Sequence, residues 1–122
     1  MTGTALIADA EITALVAAWM RDLGSVRRLA AKTLEAYGRD LGQFLNFLGP
    51  HTGGPVSLAT LRQMRPADLR AFMATRREDG VEARSLARGL SAIKSFFRYL
   101  EREGVLATEA LNIIRAPKAK KS

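Results

Sequence analysis

The sequence predicts an all-α fold: an antiparallel bundle of four main helices with short helices added. Two observations carry the helices themselves. Apolar residues recur at i, i+3, i+4 and i+7 through four long segments, and the alternating β-branched runs that mark strands are absent. A third agrees with them: the four prolines, at 50, 55, 66 and 117, lie outside the strongly periodic stretches. A chain of 122 residues is the length of one ordinary domain. The loops between segments are short, which favours antiparallel neighbours.

The first helix is expected over Asp9–Leu23, with Ile12, Leu15, Val16, Trp19 and Leu23 as its apolar stripe, Asp9 as its cap and Gly24 as its end. A basic link, Ser25–Ala30, carries Arg27 and Arg28. The second helix is expected over Ala31–Leu48, with Leu34, Tyr37, Leu41, Phe44, Leu45 and Leu48 on one side. Gly38 and Gly42 lower its propensity by about 1 kcal/mol each against Ala and suit a close neighbour. Gly49 and Pro50 are expected to stop it, leaving His51–Pro55 as a loop. Ser57–Gln63 reads as a short helix with Leu58 and Leu61 inward. The third main helix starts at Pro66, with Asp68 in its first turn and Leu69, Phe72 and Met73 toward the core, and stops at Glu78–Gly80. The fourth, Ala83–Arg102, is the most regular, and Gly104 ends it. A last short helix is expected over Thr108–Ile114. The domain then spans 9–115, between an N-terminal tail (1–8) and a basic linker (116–122).

Composition excludes several functions. There is no cysteine, hence no disulfide, thiolate zinc site or cysteine nucleophile, and the single histidine, His51, excludes a His-rich metal site. No apolar run reaches the ~20 residues of a membrane helix, so a cytoplasmic protein without membrane contact, metal or cofactor is expected. Asp9, Glu11, Asp22, Asp40 and Asp68 show no paired-carboxylate spacing, and no phosphate loop or nucleophile elbow occurs. Tyr37, Tyr99 and Trp19 fall on or near apolar faces and read as core, and His51 reads as an incidental loop residue.

Charge points elsewhere. Nineteen Lys and Arg against twelve Asp and Glu give +7, a balance that suggests an anionic partner. At about 100° per residue, Arg84, Arg88, Ser91, Lys94, Ser95 and Arg98 fall in one arc of the fourth helix, opposite Leu86, Leu90, Ile93, Phe96, Phe97 and Leu100. From Ala83 to Leu100 there are four basic residues and no acidic one. A solvated helix usually mixes signs, because opposite charges four apart stabilise it. A basic, serine-dotted face suits a DNA groove, where Arg forks onto guanine or phosphate; it is also the pattern of a merely solvated positive face. Lys32, Arg39, Gln43 and Asn46 form a weaker second face, blunted by Glu35.

Three stretches carry a resemblance. Leu29–Leu41 (LAAKTLEAYGRDL) resembles the signature that opens the second helix of tyrosine recombinases, and Met64–Phe72 (MRPADLRAF) resembles the family's third helix. Arg84–Leu100 (RSLARGLSAIKSFFRYL) is similar to the corresponding helix of the XerC type, and Ile114–Lys118 (IRAPK) resembles the passage into the interdomain linker. The resemblance spans about residues 11–118 and implies the N-terminal, core-binding, SAM-like domain of a XerC-like member of the tyrosine recombinase (phage integrase) family. In that family this domain is half of a clamp on duplex DNA, used in DNA integration, recombination and chromosome dimer resolution. The other half supplies the catalytic tyrosine, so this fragment is expected to bind DNA without cutting it. Its implied partners are a double-stranded recombination site, the catalytic domain of the same parent chain and other subunits of a synaptic complex. Carried over by position, the DNA-facing residues are Lys32, Thr33, Arg84, Ser85 and Arg88, to which the helical wheel adds Arg39, Lys94 and Arg98.

The sequence departs from the family pattern at Ala30 and Glu82, where helix-capping or preceding serines are usual, and at Thr108–Ala110. Loss of a capping serine costs about 1 kcal/mol and removes a polar group from a natural anion site. Arg88 and Lys94 lie opposite Leu90 and Ile93, so neither is expected to matter for stability, while loss of Arg88 is expected to weaken specific binding. A SAM-like protein-interaction module and a stand-alone DNA-binding regulator are the alternatives.

Overall fold

The computed structural model describes residues 8–107. The expected helix over Thr108–Ile114, the basic segment 116–122 and residues 1–7 of the tail lie outside them. Among the described residues five helices follow one another: α1 (Ala10–Ser25), α2 (Ala31–Thr52), α3 (Leu58–Arg62), α4 (Pro66–Glu78) and α5 (Ala83–Arg102). Extended structure among the described residues is limited to an isolated bridge between Ala8 and Val56. No described helix is long and apolar enough to cross a membrane.

Three helix starts carry the polar groups that exposed N–H groups demand. Asp9 Oδ1 accepts from the Ile12 N–H at 2.9 Å. Ser57 and Thr60 exchange side-chain-to-backbone bonds at 3.0 and 3.2 Å. At α4, Asp68 Oδ2 accepts from the Arg65 N–H at 2.8 Å, with Pro66 in the first turn.

Two helix ends differ from the expected ones. Gly24 does not end α1. The Asp22 carbonyl accepts from Val26 at 2.9 Å and Arg27 at 3.1 Å, which carries the coil through Ser25. The chain reverses instead at Arg28, whose φ of 57° lies in the left-handed region, a conformation that costs a non-glycine residue about 1 kcal/mol. Nor do Gly49 and Pro50 stop α2. Pro50 lies within the last turns, on the exposed side, where the hydrogen bond it forfeits is not a buried one. Gly53, at φ 96°, ends the helix and donates to the Gly49 carbonyl at 2.9 Å.

The four long helices enclose one core, and α2 packs chiefly against α5. Trp19, Leu41, Phe44, Leu48, Ile93, Phe96 and Leu100 are fully buried in it. Trp19 meets Phe96 edge-on at 5.4 Å, and Phe44 meets Phe72 edge-on at 5.2 Å. Gly38 answers the expectation of close approach: a Cβ there would lie 3.1 Å from Met20 Cε, so α1 closes on α2 at this level. At Gly42 no neighbour lies within 4 Å of that position.

His51 is not an incidental loop residue. It stands in the last turn of α2, stacks on Phe47 at 4.8 Å and places Nε2 3.0 Å from Asp68 Oδ1. The buried Asp68 carboxylate thereby joins the end of α2 to the start of α4. The hydrogen bond from the Arg65 N–H holds the Asp68 carboxyl below its usual range, burial opposes this, and the bond to His51 adds to it. A carboxylate lowered by folding contributes stability above its unfolded value, near 4, and that contribution is lost as pH falls through the folded value. Asp68→Asn is therefore expected to destabilise the domain by about 1–2 kcal/mol at neutral pH. The gap from the parent protein should shrink below about pH 4, as urea unfolding at several pH values would measure.

Candidate nucleic-acid interface

Helices α2 and α5 run antiparallel. Tyr37 shares a cleft with Ser91, Lys94 and Ser95; Asp40 meets Arg88; Gln43 lies beside Ser85 and Gly89. Numbers thus fall along α5 as they rise along α2. One consequence concerns the expected DNA-facing residues. Lys32 and Thr33, at the start of α2, lie toward the Arg98 end of α5, and Arg84 and Ser85 lie toward the other. The two groups stand at opposite ends of a seam. From Arg84 to Arg98 it runs about 21 Å at 1.5 Å per residue, close to six base pairs of duplex.

The eight expected residues are not alike in their surroundings. Lys32, Thr33, Arg39, Arg84 and Arg98 are exposed, and Lys94 is half-buried. The five cations in this group form no ion pair with any described residue. Ser85 is half-buried and lines a small recess with Asp40, Gln43 and Arg76, where Arg76 Nη2 donates to Gln43 Oε1 at 2.7 Å. It faces the junction of α2, α4 and α5.

Arg88 requires a correction. The sequence places it on a solvated arc, unconnected to stability. In the structure Nε and Nη2 donate to the two Asp40 carboxylate oxygens, at 2.7 and 3.0 Å. Asp40 is 6% exposed, whereas the Arg88 side chain keeps 40% of its surface open. The Asp40 hydrogen bond holds the guanidinium above the ordinary arginine range, against the opposing effect of burial. On the α5 wheel Arg88 sits at the edge of the basic arc that turns toward α2, which is why a buried carboxylate can reach it. Ser95 is corrected for the same reason. It lies on the inner edge of the arc, and its hydroxyl accepts the indole N–H of fully buried Trp19 at 3.0 Å.

With Ser95 turned inward and one edge of Arg88 held by Asp40, the rest of the arc of α5 is Arg84, Ser91, Lys94 and Arg98. Across from it the α1–α2 link contributes Arg27, which lines a cleft of about 310 Å³ together with Tyr37, Ser91, Lys94 and Arg98. Arg27 was visible in the sequence only as part of a basic link, because a wheel shows nothing of what a loop folds against. Tyr37 is stacked against Trp19 at 6.4 Å, so the floor of the cleft is fixed by the core. The α2 and α5 starts bear no side-chain cap hydrogen bond, in keeping with Ala30 and Glu82. Neither opens on an acidic first turn.

Comparison with known proteins gives a consistent result. The family described as "Phage integrase, N-terminal SAM-like domain" matches residues 16–104. The chain is 50% identical over 115 residues to a protein of Bradyrhizobium diazoefficiens named "Tyrosine recombinase XerC", covering 94% of this chain and 36% of that relative. Proteins of the same name from Rhizobium meliloti and Nitrobacter winogradskyi are 46% and 48% identical over 95% and 94% of this chain, and again 36% of their own length is covered. The chain thus spans about a third of the curated relatives it matches. No solved structure matches it.

Removing Arg88 leaves the Asp40 carboxylate buried and unpaired. Arg88→Ala is expected to destabilise the domain by about 2–4 kcal/mol, below the 3–5 typical of a fully buried pair because the arginine is partly screened by solvent. Lys94→Ala should stay within about 0.5 kcal/mol of the parent protein. Thermal unfolding of both variants checks the contrast.

Proposed function

Because the chain belongs to the family of phage integrase N-terminal SAM-like domains, we propose that it grips duplex DNA along the α2–α5 seam, as the core-binding half of a XerC-like tyrosine recombinase. The observation that carries this reading is the convergence, on one concave surface, of cations from separate elements that form no ion pair among the described residues. Arg27 comes from the link, and Lys94 and Arg98 come from α5, with the Ser91 hydroxyl between them. Lys32 and Arg39 on α2 and Arg84 on α5 extend the same sign along the seam. A merely solvated face would gain from interspersed acidic partners, and α5 has none from Ala83 to Leu100.

On this reading the free cations hold phosphates and fix the domain on the duplex, while base edges are read from the middle of the seam. Thr33 and Ser85 supply hydroxyls near its two ends. In the parent protein a catalytic domain closes the other side of the clamp and supplies the nucleophilic tyrosine. Further subunits join in synapsis, and the work is site-specific recombination of cytoplasmic DNA, either chromosome dimer resolution or integration of a mobile element.

Two measurements test the reading. If four or five of the free cations neutralise phosphates, log K for duplex DNA should fall against log salt with a slope of about −4, and Lys94→Ala should lower that slope by about one. Binding indifferent to salt would sink the proposal. The 122-residue chain alone should form no denaturation-resistant adduct with nicked or supercoiled DNA, because Tyr37 and Tyr99 are half-buried among core side chains. An adduct lost in Tyr37→Phe or Tyr99→Phe would contradict the division of labour between the two halves.

A further inference from the structure

We propose that Asp40 is a positioning residue for DNA reading: it clamps one edge of the Arg88 guanidinium so that the opposite edge is presented, rigid and charge-balanced, to base acceptors in the groove. The inference rests on the reading of the seam as the duplex face.

Three observations carry it. The first is geometric. Asp40 takes the Nε and Nη2 donors of Arg88 through both carboxylate oxygens, at 2.7 and 3.0 Å. A guanidinium is planar and its N–H groups form a fixed fork, so holding one edge fixes the other. The second is exposure. The clamp is buried, with Asp40 6% exposed, yet 40% of the Arg88 side chain is open, and its remaining N–H groups have no hydrogen-bond partner among the described residues. A side chain recruited only to neutralise Asp40 has no need of that open edge. The third is electrostatic. Asp40 and Arg88 cancel at contact distance, so the pair adds little to the field that draws phosphates. The seam's attraction falls to cations without ion-pair partners among the described residues, such as Arg84 one turn away and Lys94 farther along. What the pair retains is directional donation at short range, which matches the O6 and N7 acceptors of guanine. Its rotamer freedom is given up on folding and not on binding.

The division is therefore between free cations, which hold any duplex and are salt-sensitive, and the Asp40–Arg88 unit, which discriminates between duplexes and is nearly salt-indifferent. The test uses the 122-residue chain and a randomised duplex library. The site recovered by selection and a scrambled duplex are then titrated at several salt concentrations with the parent protein, Asp40→Asn, Arg88→Lys and Lys94→Ala. Circular dichroism confirms folding. If Asp40→Asn fails to fold, Asp40→Glu, which keeps the charge and the pairing but displaces the clamp by one methylene, replaces it. Expected is a fall of about tenfold or more in the ratio of affinities for selected over scrambled duplex in the Asp40 and Arg88 variants, with the salt slope unchanged in Arg88→Lys, which keeps the net charge, and steeper by at most about one in Asp40→Asn, which leaves the Arg88 charge uncancelled. Lys94→Ala should do the reverse. An unchanged ratio in Arg88→Lys and in the Asp40 variant would overturn the proposal and leave the pair as a lock between helices. So would an equal rise in affinity for both duplexes in Asp40→Asn, because the ratio is then unchanged. A parent protein that binds duplexes but selects no sequence overturns the proposal alone. One that binds no duplex at low salt overturns the reading of the seam as well.

Discussion

A buried carboxylate must find a partner, and that requirement at Asp40 sets the relation of α2 to α5. Asp40 stands on the strip of α2 that also carries its core contacts, with Leu41 and Phe44 beside it in the packed interior. Leaving its charge unpaired there would cost several kcal/mol. Arg88 can satisfy it only if the two helices lie antiparallel at one register, with Tyr37 opposite Ser91–Ser95 and Gln43 opposite Ser85. Apolar packing between two regular helices is forgiving of small slides; a two-point carboxylate–guanidinium bond is not. The pair's net contribution to stability is small beside this effect on register, because desolvation offsets much of the attraction.

Register then decides what the basic arc of α5 can do. With Arg88 drawn onto Asp40 and Ser95 drawn onto the Trp19 indole, the arc is rotated so that Arg84, Ser91, Lys94 and Arg98 face outward. Arg27 reaches the same surface only because the chain reverses at Arg28 in a left-handed conformation, with the Leu29 N–H bonded to the Leu23 carbonyl at 3.0 Å. Helix packing, the link and the cationic cleft are one arrangement.

Much of this was legible in the sequence, and the limits are physical ones. The fourth main helix, Ala83–Arg102, was read with its observed bounds, because its apolar period, its lack of breakers and its terminal glycine agree. The ends of α1 and α2 lie beyond the expected ones. Gly24 and Pro50 are breakers by propensity, but carbonyl acceptors at Asp22 and Gly49 were available to carry each coil onward, and acceptor geometry is not a local property of the sequence. Arg88, Ser95 and Asp40 share a different difficulty. A helical wheel ranks residues by angle from the apolar face, and these lie at its margins, where a neighbour's register decides whether a polar group meets solvent or a partner. The His51–Asp68 contact spans 17 residues and two helices, beyond the reach of any single-helix pattern.

The capping pattern follows the same logic. α1 and α3 begin with side-chain acceptors for first-turn N–H groups, at Asp9 and Ser57, and at α4 Asp68 reaches back to the Arg65 N–H. α2 and α5, the two helices of the seam, have none. A missing cap costs about 1 kcal/mol, and it leaves the positive end of the helix dipole unneutralised. Since the two helices are antiparallel, those ends fall at opposite ends of the seam, but they are not equivalent. The α5 start has Glu82 at its cap position, preceded by Glu78 and Asp79. The α2 start has Ala30, with Lys32 in the first turn and Arg27 and Arg28 just before it, and Arg98 lies toward it across the cleft. Cations thus gather at the α2 start, with Glu35 one turn on, while Arg84 shares the α5 start with Glu82, and the charge-balanced Asp40–Arg88 pair lies between. On the proposed reading, the exposed cations hold the backbone of a duplex by charge, and its approach to the middle of the seam is governed by hydrogen-bond geometry at a pair whose charges cancel.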